Sequence, residues 1–342
     1  MELDRMSGET EQAIRDFLGS LSIDEEYRTY FEQLMVAITK LADSNLSELD
    51  VKIMTNALKE MRYAFEVFRK YDDRRKIAVF GSARTDPDHE NYRAAQEFSR
   101  EAADRNYMII SGAGPGIMEA ANKGAGRDDS FGLHISLPHE YQPNRYIAGD
   151  EKCITFRYFF SRKLLFAKES EAVVYFPGGF GTHDELYELL CLLQTGEHHM
   201  SPLVLCDQNG FWKDFQQYLE DTLIAEGTIS EEDLQLLDYV TEPEAALDVV
   251  ENFYSNYHSS RFLNEDFLIR FREFPEGACL EELEEEFIHL CPESGFRVEK
   301  GRLPGEEPDA PEELYRLVFF YTNHNYAELR RLIDYVNNWT GE

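Results

Sequence analysis

Positive charge is what this sequence lacks most: across 342 residues, 34 lysines and arginines stand against 66 acidic residues, for a formal net charge of −32. A surface of that sign repels nucleic-acid phosphates and anionic membrane faces, so neither is expected as a partner. Also missing is any apolar run of the ~20 residues that a bilayer-spanning helix needs, and the opening stretch Met1 to Gln12 is polar and acidic rather than leader-like. No part of the chain is expected to cross a membrane. Cysteine is scarce and unpatterned. Cys153, Cys191, Cys206, Cys279 and Cys291 are odd in number and show no CxxC spacing, which argues against a disulfide framework and for a reducing, cytoplasmic compartment. His198-His199 is the sole histidine doublet, and adjacent helical positions do not readily converge on one ion, so no metal and no other cofactor is expected.

What is present centres on residues 172–185. Ala172-Val173-Val174-Tyr175-Phe176 reads as a buried parallel strand, and Pro177-Gly178-Gly179-Phe180-Gly181-Thr182 as a glycine-dense turn. The turn leads into a helix that carries Leu186, Leu189, Leu190 and Leu193 at helical spacing. Strand, glycine turn and helix N-terminus together form an anion cradle suited to phosphate, with Thr182 expected to cap the helix. Glu185, in the helix's early turns, is either a dipole-compensating acid or a catalytic carboxylate. The residues alone leave both open.

Before this stretch, residues 1–75 read as helices only, with Ser47 and Asp50 as an N-cap between two apolar-faced segments. At Lys76 the period changes. Ile77-Ala78-Val79-Phe80 followed by Gly81-Ser82-Ala83-Arg84, and Tyr107-Met108-Ile109-Ile110 followed by Ser111-Gly112-Ala113-Gly114-Pro115-Gly116, are two strand, glycine-turn, helix units. A doubly wound, Rossmann-like parallel sheet is the fold they predict. The GxGxG there is weak by itself, since such turns also serve strand–helix packing. The strand from Phe131 to Leu137 runs into Pro138 without an acid for a ribose diol, which favours a mononucleotide over a dinucleotide. Further strands are expected at Cys153 to Phe156, Leu203 to Cys206 and Asp238 to Thr241. Arg162 and Lys163 sit side by side in a greasy aromatic helix, so one of them should point into a pocket, the alternative being a pair that snorkels to water. Ser255 to Ser260 reads as a linker, and Pro304 to Pro311 as an exposed loop within a small C-terminal α+β module. The expected division is a helical extension over 1–75, a Rossmann-like nucleotide-binding domain over 76–254, and the module over 260–342.

Arg162-Lys163 and Pro177-Gly178-Gly179-Phe180-Gly181-Thr182-His183-Asp184-Glu185 together resemble the Lonely Guy family, whose signature is PGGxGTxxE preceded by an RK dipeptide. The turn at Gly81-Ser82-Ala83-Arg84 and the run from Gly114 to Asn122 also look like bacterial members. The resemblance covers about residues 76 to 250 and leaves both flanks without a function. It implies a phosphoribohydrolase that releases the base from a nucleoside 5′-monophosphate, with AMP or N6-modified AMP as substrate and a homodimer as the assembly. It makes Arg162 and Glu185 catalytic. Gly178, Gly179, Phe180, Gly181 and Thr182 would hold the 5′-phosphate, with Gly81, Ser82, Gly112, Gly114 and Lys163 lining the same cleft. Glu119 and Glu188 stand next in line should Glu185 not be the acid. Two departures are visible: Ala113 replaces a common glycine, and Phe159, Phe160 and Phe166 surround the RK pair where cytokinin-type enzymes tend to carry Met and His. The second leaves the base undefined.

Two other functions compete. Relatives of the same fold that lack the catalytic acid act as nucleotide sensors or cofactor carriers, and the presence of both Arg162 and Glu185 argues against that role here. A pyridoxal-phosphate lysine decarboxylase, the family's older label, lacks a suitable Schiff-base lysine, because Lys163 is better explained by phosphate.

Overall fold

A computed structural model describes residues 8–136, 142–274, 278–321 and 325–339. The chain divides into two units, Met1–Glu60 and Met61–Glu342. The first holds α1 (Gly8–Gly19), α2 (Glu25–Asp43) and the larger part of α3 (Glu48–Phe68). Ser47 and Asp50 cap α3 reciprocally. The Asp50 N–H donates to the Ser47 hydroxyl at 3.2 Å, and the Ser47 N–H donates to the Asp50 carboxylate at 3.0 Å.

The second unit is built on seven parallel strands: β1 (Lys76–Phe80), β2 (Met108–Ser111), β3 (Ser130–Ile135), β4 (Cys153–Phe156), β5 (Ala172–Tyr175), β6 (Leu203–Cys206) and β7 (Leu237–Val240). Their order is β4-β3-β2-β1-β5-β6-β7. Strands buried on both faces are predominantly apolar, and β1, β2, β5 and β6 are fully buried runs with only Lys76 and Ser111 polar, at their ends. Helices α4 (Glu90–Asp104), α5 (Ile117–Ala125), α6 (Phe159–Glu169), α7 (Phe180–Thr195), α8 (Phe211–Tyr218) and α9 (Pro243–Asn256) make the crossovers. The winding reverses between β1 and β5. The loops after those two strands therefore part, leaving a crevice at the carboxyl edge of the sheet. The doubly wound α/β expectation is met. Its Leu137 and Pro138 lie outside the described residues.

The expected linker at 255–260 is instead the end of α9 and the start of β8 (Tyr257–Leu263). This strand edges an antiparallel sheet of order β10-β11-β9-β8, with β9 (Asp266–Phe271), β10 (Arg297–Lys300) and β11 (Tyr315–Phe320). Two helices, α10 (Ala278–Phe287) and α11 (Tyr326–Asn338), complete the module. Asn337 on α11 clamps the joint, accepting from the Tyr257 N–H at 3.0 Å and donating to the Phe253 carbonyl at 2.7 Å. The loop expected to be exposed between Pro304 and Pro311 is pinned inward at Glu306, whose side chain is fully buried. Glu306 accepts from Arg270 at 2.8 Å and from Arg316 at 3.1 Å, two arginines facing each other across β9 and β11.

Candidate active site

At the crevice between β1 and β5 lies a cleft of about 880 Å³. Its walls are the Gly81–Arg84 turn after β1, the Gly179–Glu185 start of α7, and Met118, Phe159 and Arg162. Three turns are stitched together below it. The Ser82 N–H donates to the Pro177 carbonyl at 3.1 Å, and the Ser82 carbonyl accepts from the Ile117 N–H at 3.1 Å. The first N–H groups of α7 have no partner within the helix, so its N-terminus offers donors and a positive dipole end to the cleft. The helix begins at Phe180, earlier than the sequence suggested, with Gly179 at the N-cap and no side-chain cap bond. Thr182 is thus a buried first-turn residue rather than the cap.

Neighbouring glycines in this turn serve different ends. A Cβ on Gly178 would come within 2.1 Å of the Thr182 hydroxyl and 3.1 Å of the Gly81 backbone, so the fold itself demands glycine there. A Cβ on Gly179 would meet nothing within 4 Å, and its φ of −92° suits any residue. Bare backbone at Gly179 therefore serves whatever enters the cleft.

Two buried, oppositely charged side chains face this space. Arg162 on α6 is 9% exposed and Glu185 on α7 is 6% exposed. The Arg162 Nε donates to the Leu133 carbonyl at 2.8 Å, and its guanidinium lies 5.2 Å from the Phe166 ring centroid. Room for it depends on Gly112, where a Cβ would stand 2.5 Å from the Arg162 Nη2. Burial pushes the Glu185 carboxyl up to about 7, against the opposing pull of Arg162 and then Lys163. Burial likewise lowers Arg162, with Glu185 opposing. The result is a carboxyl poised near neutrality beside a fixed cation, a setting for acid–base or charge-stabilising chemistry.

Residues 118–250 match the family described as "Possible lysine decarboxylase". Among similar proteins is the cytokinin riboside 5′-monophosphate phosphoribohydrolase LOG2 of Arabidopsis thaliana, 27% identical over 159 residues that make up 46% of this chain and 73% of the relative. A second is the probable cytokinin riboside 5′-monophosphate phosphoribohydrolase LOGL6 of Oryza sativa subsp. japonica, 25% identical over 58% of this chain and 80% of its own. Over this stretch the chain is similar to the Lonely Guy phosphoribohydrolases. Among solved structures, the molybdenum cofactor binding protein from Rippkaea orientalis is 17% identical with a TM-score of 0.36, covering 52% of this chain and 96% of that one.

Of the residues expected at a Lonely Guy site, Gly81, Ser82, Arg162, Gly179, Phe180, Gly181, Thr182 and Glu185 line the cleft. Gly112, Gly114 and Gly178 stand behind its wall, where Cβ atoms would strike Met118, Arg162 or Thr182. Lys163 turns along α7 instead, pairing with Asp184 at 3.0 Å and Glu188 at 2.6 Å. Those two carboxylates hold its ammonium above the ordinary lysine range although burial acts to lower it. Of the reserve acids, Glu188 is spent on Lys163, and Glu119 accepts from the Tyr92 hydroxyl at 3.2 Å. Reading the sequence missed Arg84, Met118, His183 and Tyr187 as lining residues. Arg84 had a visible signal, a cation directly after the Gly81-Ser82 turn. Ala113 adopts a left-handed φ of 58°, which explains why a glycine is common there.

Proposed function

We propose that this protein hydrolyses the N-glycosidic bond of a nucleoside 5′-monophosphate, AMP or an N6-modified AMP, giving the free base and ribose 5-phosphate. The observation that carries this reading is the buried Arg162–Glu185 pair opening on a cleft lined by glycine backbone at a helix N-terminus. The 5′-phosphate docks against Gly179, Phe180 and Gly181 at the start of α7, with Arg84 at the rim. As the bond from C1′ to the base nitrogen breaks, its electron pair leaves with the base and positive charge develops on the ribose. The Glu185 carboxylate stabilises that charge. A water oxygen adds to C1′ and one of its protons ends on the base, while Arg162 balances the phosphate or the departing base. The activity named for the Arabidopsis thaliana and Oryza sativa relatives supports the reading.

The exposed Phe159, Phe160 and Leu164 on α6, beside the cleft, support a homodimer with its active sites near the contact. The free thiols of Cys153, Cys191, Cys206 and Cys291 support a reducing cytoplasm. Incubation with AMP, GMP, CMP, UMP and an N6-prenylated AMP, followed by chromatography for free base, tests the activity. No base from any of them refutes it, and tight nucleotide binding without turnover over hours transfers the site to a sensor or carrier.

A further inference from the structure

The parallel sheet has a second, opposite edge, and it too bears a cavity, of about 720 Å³. The segments entering β1, β2 and β5 form one side, and the junction of α9, β8 and β9 forms the other. Arg75 and Arg272 both face it. The guanidinium of Arg75 lies 4.0 Å over the Tyr254 ring. Arg272 spends one nitrogen, Nη1, on the carbonyls of Tyr254 at 3.1 Å, Asn256 at 3.3 Å and Tyr257 at 2.9 Å. Those carbonyls end α9, which accounts for Arg272 but leaves its Nε and Nη2 without partners among the described residues. Arg75 has the Tyr254 ring and a side-chain hydrogen bond with Tyr107, but no ion-pair partner among the described residues.

The cavity's own carboxylates offset the pair only in part, Arg75 favouring the charged form of Glu171 without forming an ion pair with it. Glu251 is taken by Arg105 at 2.7 Å, Glu171 accepts the Lys76 N–H at 2.7 Å, and Asp72 and Asp73 are exposed. Among the described residues neither Arg75 nor Arg272 has a carboxylate within the 4.0 Å of an ion pair. Their mutual repulsion is felt. Burial and then Arg75 lower Arg272, and His258 is lowered by burial, then by Arg272, Arg270 and Arg75. In a chain with 66 acids and 34 bases, two arginines sharing a cavity without an ion-pair partner is an arrangement that an anion would complete.

We propose that this cavity is a second ligand site, for a small phosphate-bearing anion held between Arg75 and Arg272 with His258 as a further donor. Planar guanidinium forks match phosphate oxygens, and the volume exceeds one phosphate, so the group it takes is attached to a larger body. Because the walls come from both the Rossmann-like part and the C-terminal module, occupancy would lock the two together.

Calorimetric titration of the full chain with inorganic pyrophosphate at fixed ionic strength, with chloride as control, tests this. Arg75→Gln and Arg272→Gln should each weaken pyrophosphate at least tenfold, while Arg162→Gln, in the other cleft, leaves this binding event in place. If Arg272→Gln fails to fold for want of its helix-end contacts, Arg75→Gln alone decides. Unchanged affinity in Arg75→Gln, loss of all binding in Arg162→Gln, or no binding by the wild type at millimolar pyrophosphate would each overturn the proposal.

Discussion

Glu185 is where burial and charge compete most openly, and pH reads the competition directly. Its carboxyl moves from 4.5 to about 7, so the fold favours the neutral form. The stability this brings is complete below the unfolded value and is lost as pH rises through about 7. Glu185→Gln should accordingly gain stability relative to the wild type between about pH 5 and pH 8. Equal urea midpoints at both would contradict it. The proposed hydrolysis needs the ionised form, so its kcat/KM should fall below neutrality with a midpoint near 7. Lys163→Met, which removes a charge favouring the carboxylate, should move that limb to higher pH. A limb that stays put would sever Lys163 from the site. Glu185→Ala should lower kcat by about a thousandfold with little change in KM, because a transition-state contact is removed. The two glycines separate fold from ligand in the same way. Gly178→Ala should cost about 1–3 kcal/mol by crowding Thr182. Gly179→Val should keep its denaturation midpoint and lose nucleotide affinity, and the reverse pattern would reassign both.

Elements were legible in the sequence where burial is complete and obscure where it is partial. β1, β2, β5 and β6 are apolar runs, polar only at Lys76 and Ser111 on their ends, and were readable from that alone. β8 was not, because in an edge strand only Tyr257 is buried and Ser-Asn-Tyr-His-Ser-Ser has the composition of a turn. The start of α7 was misjudged because Thr182 has the right chemistry for a cap while the backbone at Gly179 takes that place. Arg162 and Glu185 were readable as a motif. The diversion of Lys163 onto Asp184 and Glu188 was not, since pairing between α6 and α7 depends on how two helices pack. Glu306 shows the limit of composition most plainly: the Pro304–Pro311 stretch looks solvated, yet one carboxylate in it pairs with both buried arginines, and the next, Glu307, shares Arg270. Glu306→Ala should destabilise the protein by about 3–5 kcal/mol, the cost of leaving the buried Arg316 charge unpaired while Arg270 keeps Glu307, read from urea midpoints. A shift under about 1 kcal/mol would mean that water takes the carboxylate's place.

For the molecule as a whole, the reversal of winding at β1 has a kinetic consequence. Ile77 pairs on one side with Ile109 and on the other with Ala172, a far more distant position. Closing the larger loop loses more chain entropy and waits on more of the chain being synthesised or collapsed. The β8–β9 hairpin involves near neighbours and can form early. In refolding from denaturant, the far-ultraviolet signal should therefore recover ahead of nucleotide turnover, with a separate slow phase for the latter. Both returning at one rate would show that β5 docks on β1 as fast as the local units form. The floor of the cleft is made by the two loops that this last pairing brings side by side, so a nascent chain can hold most of its secondary structure and still have no cleft.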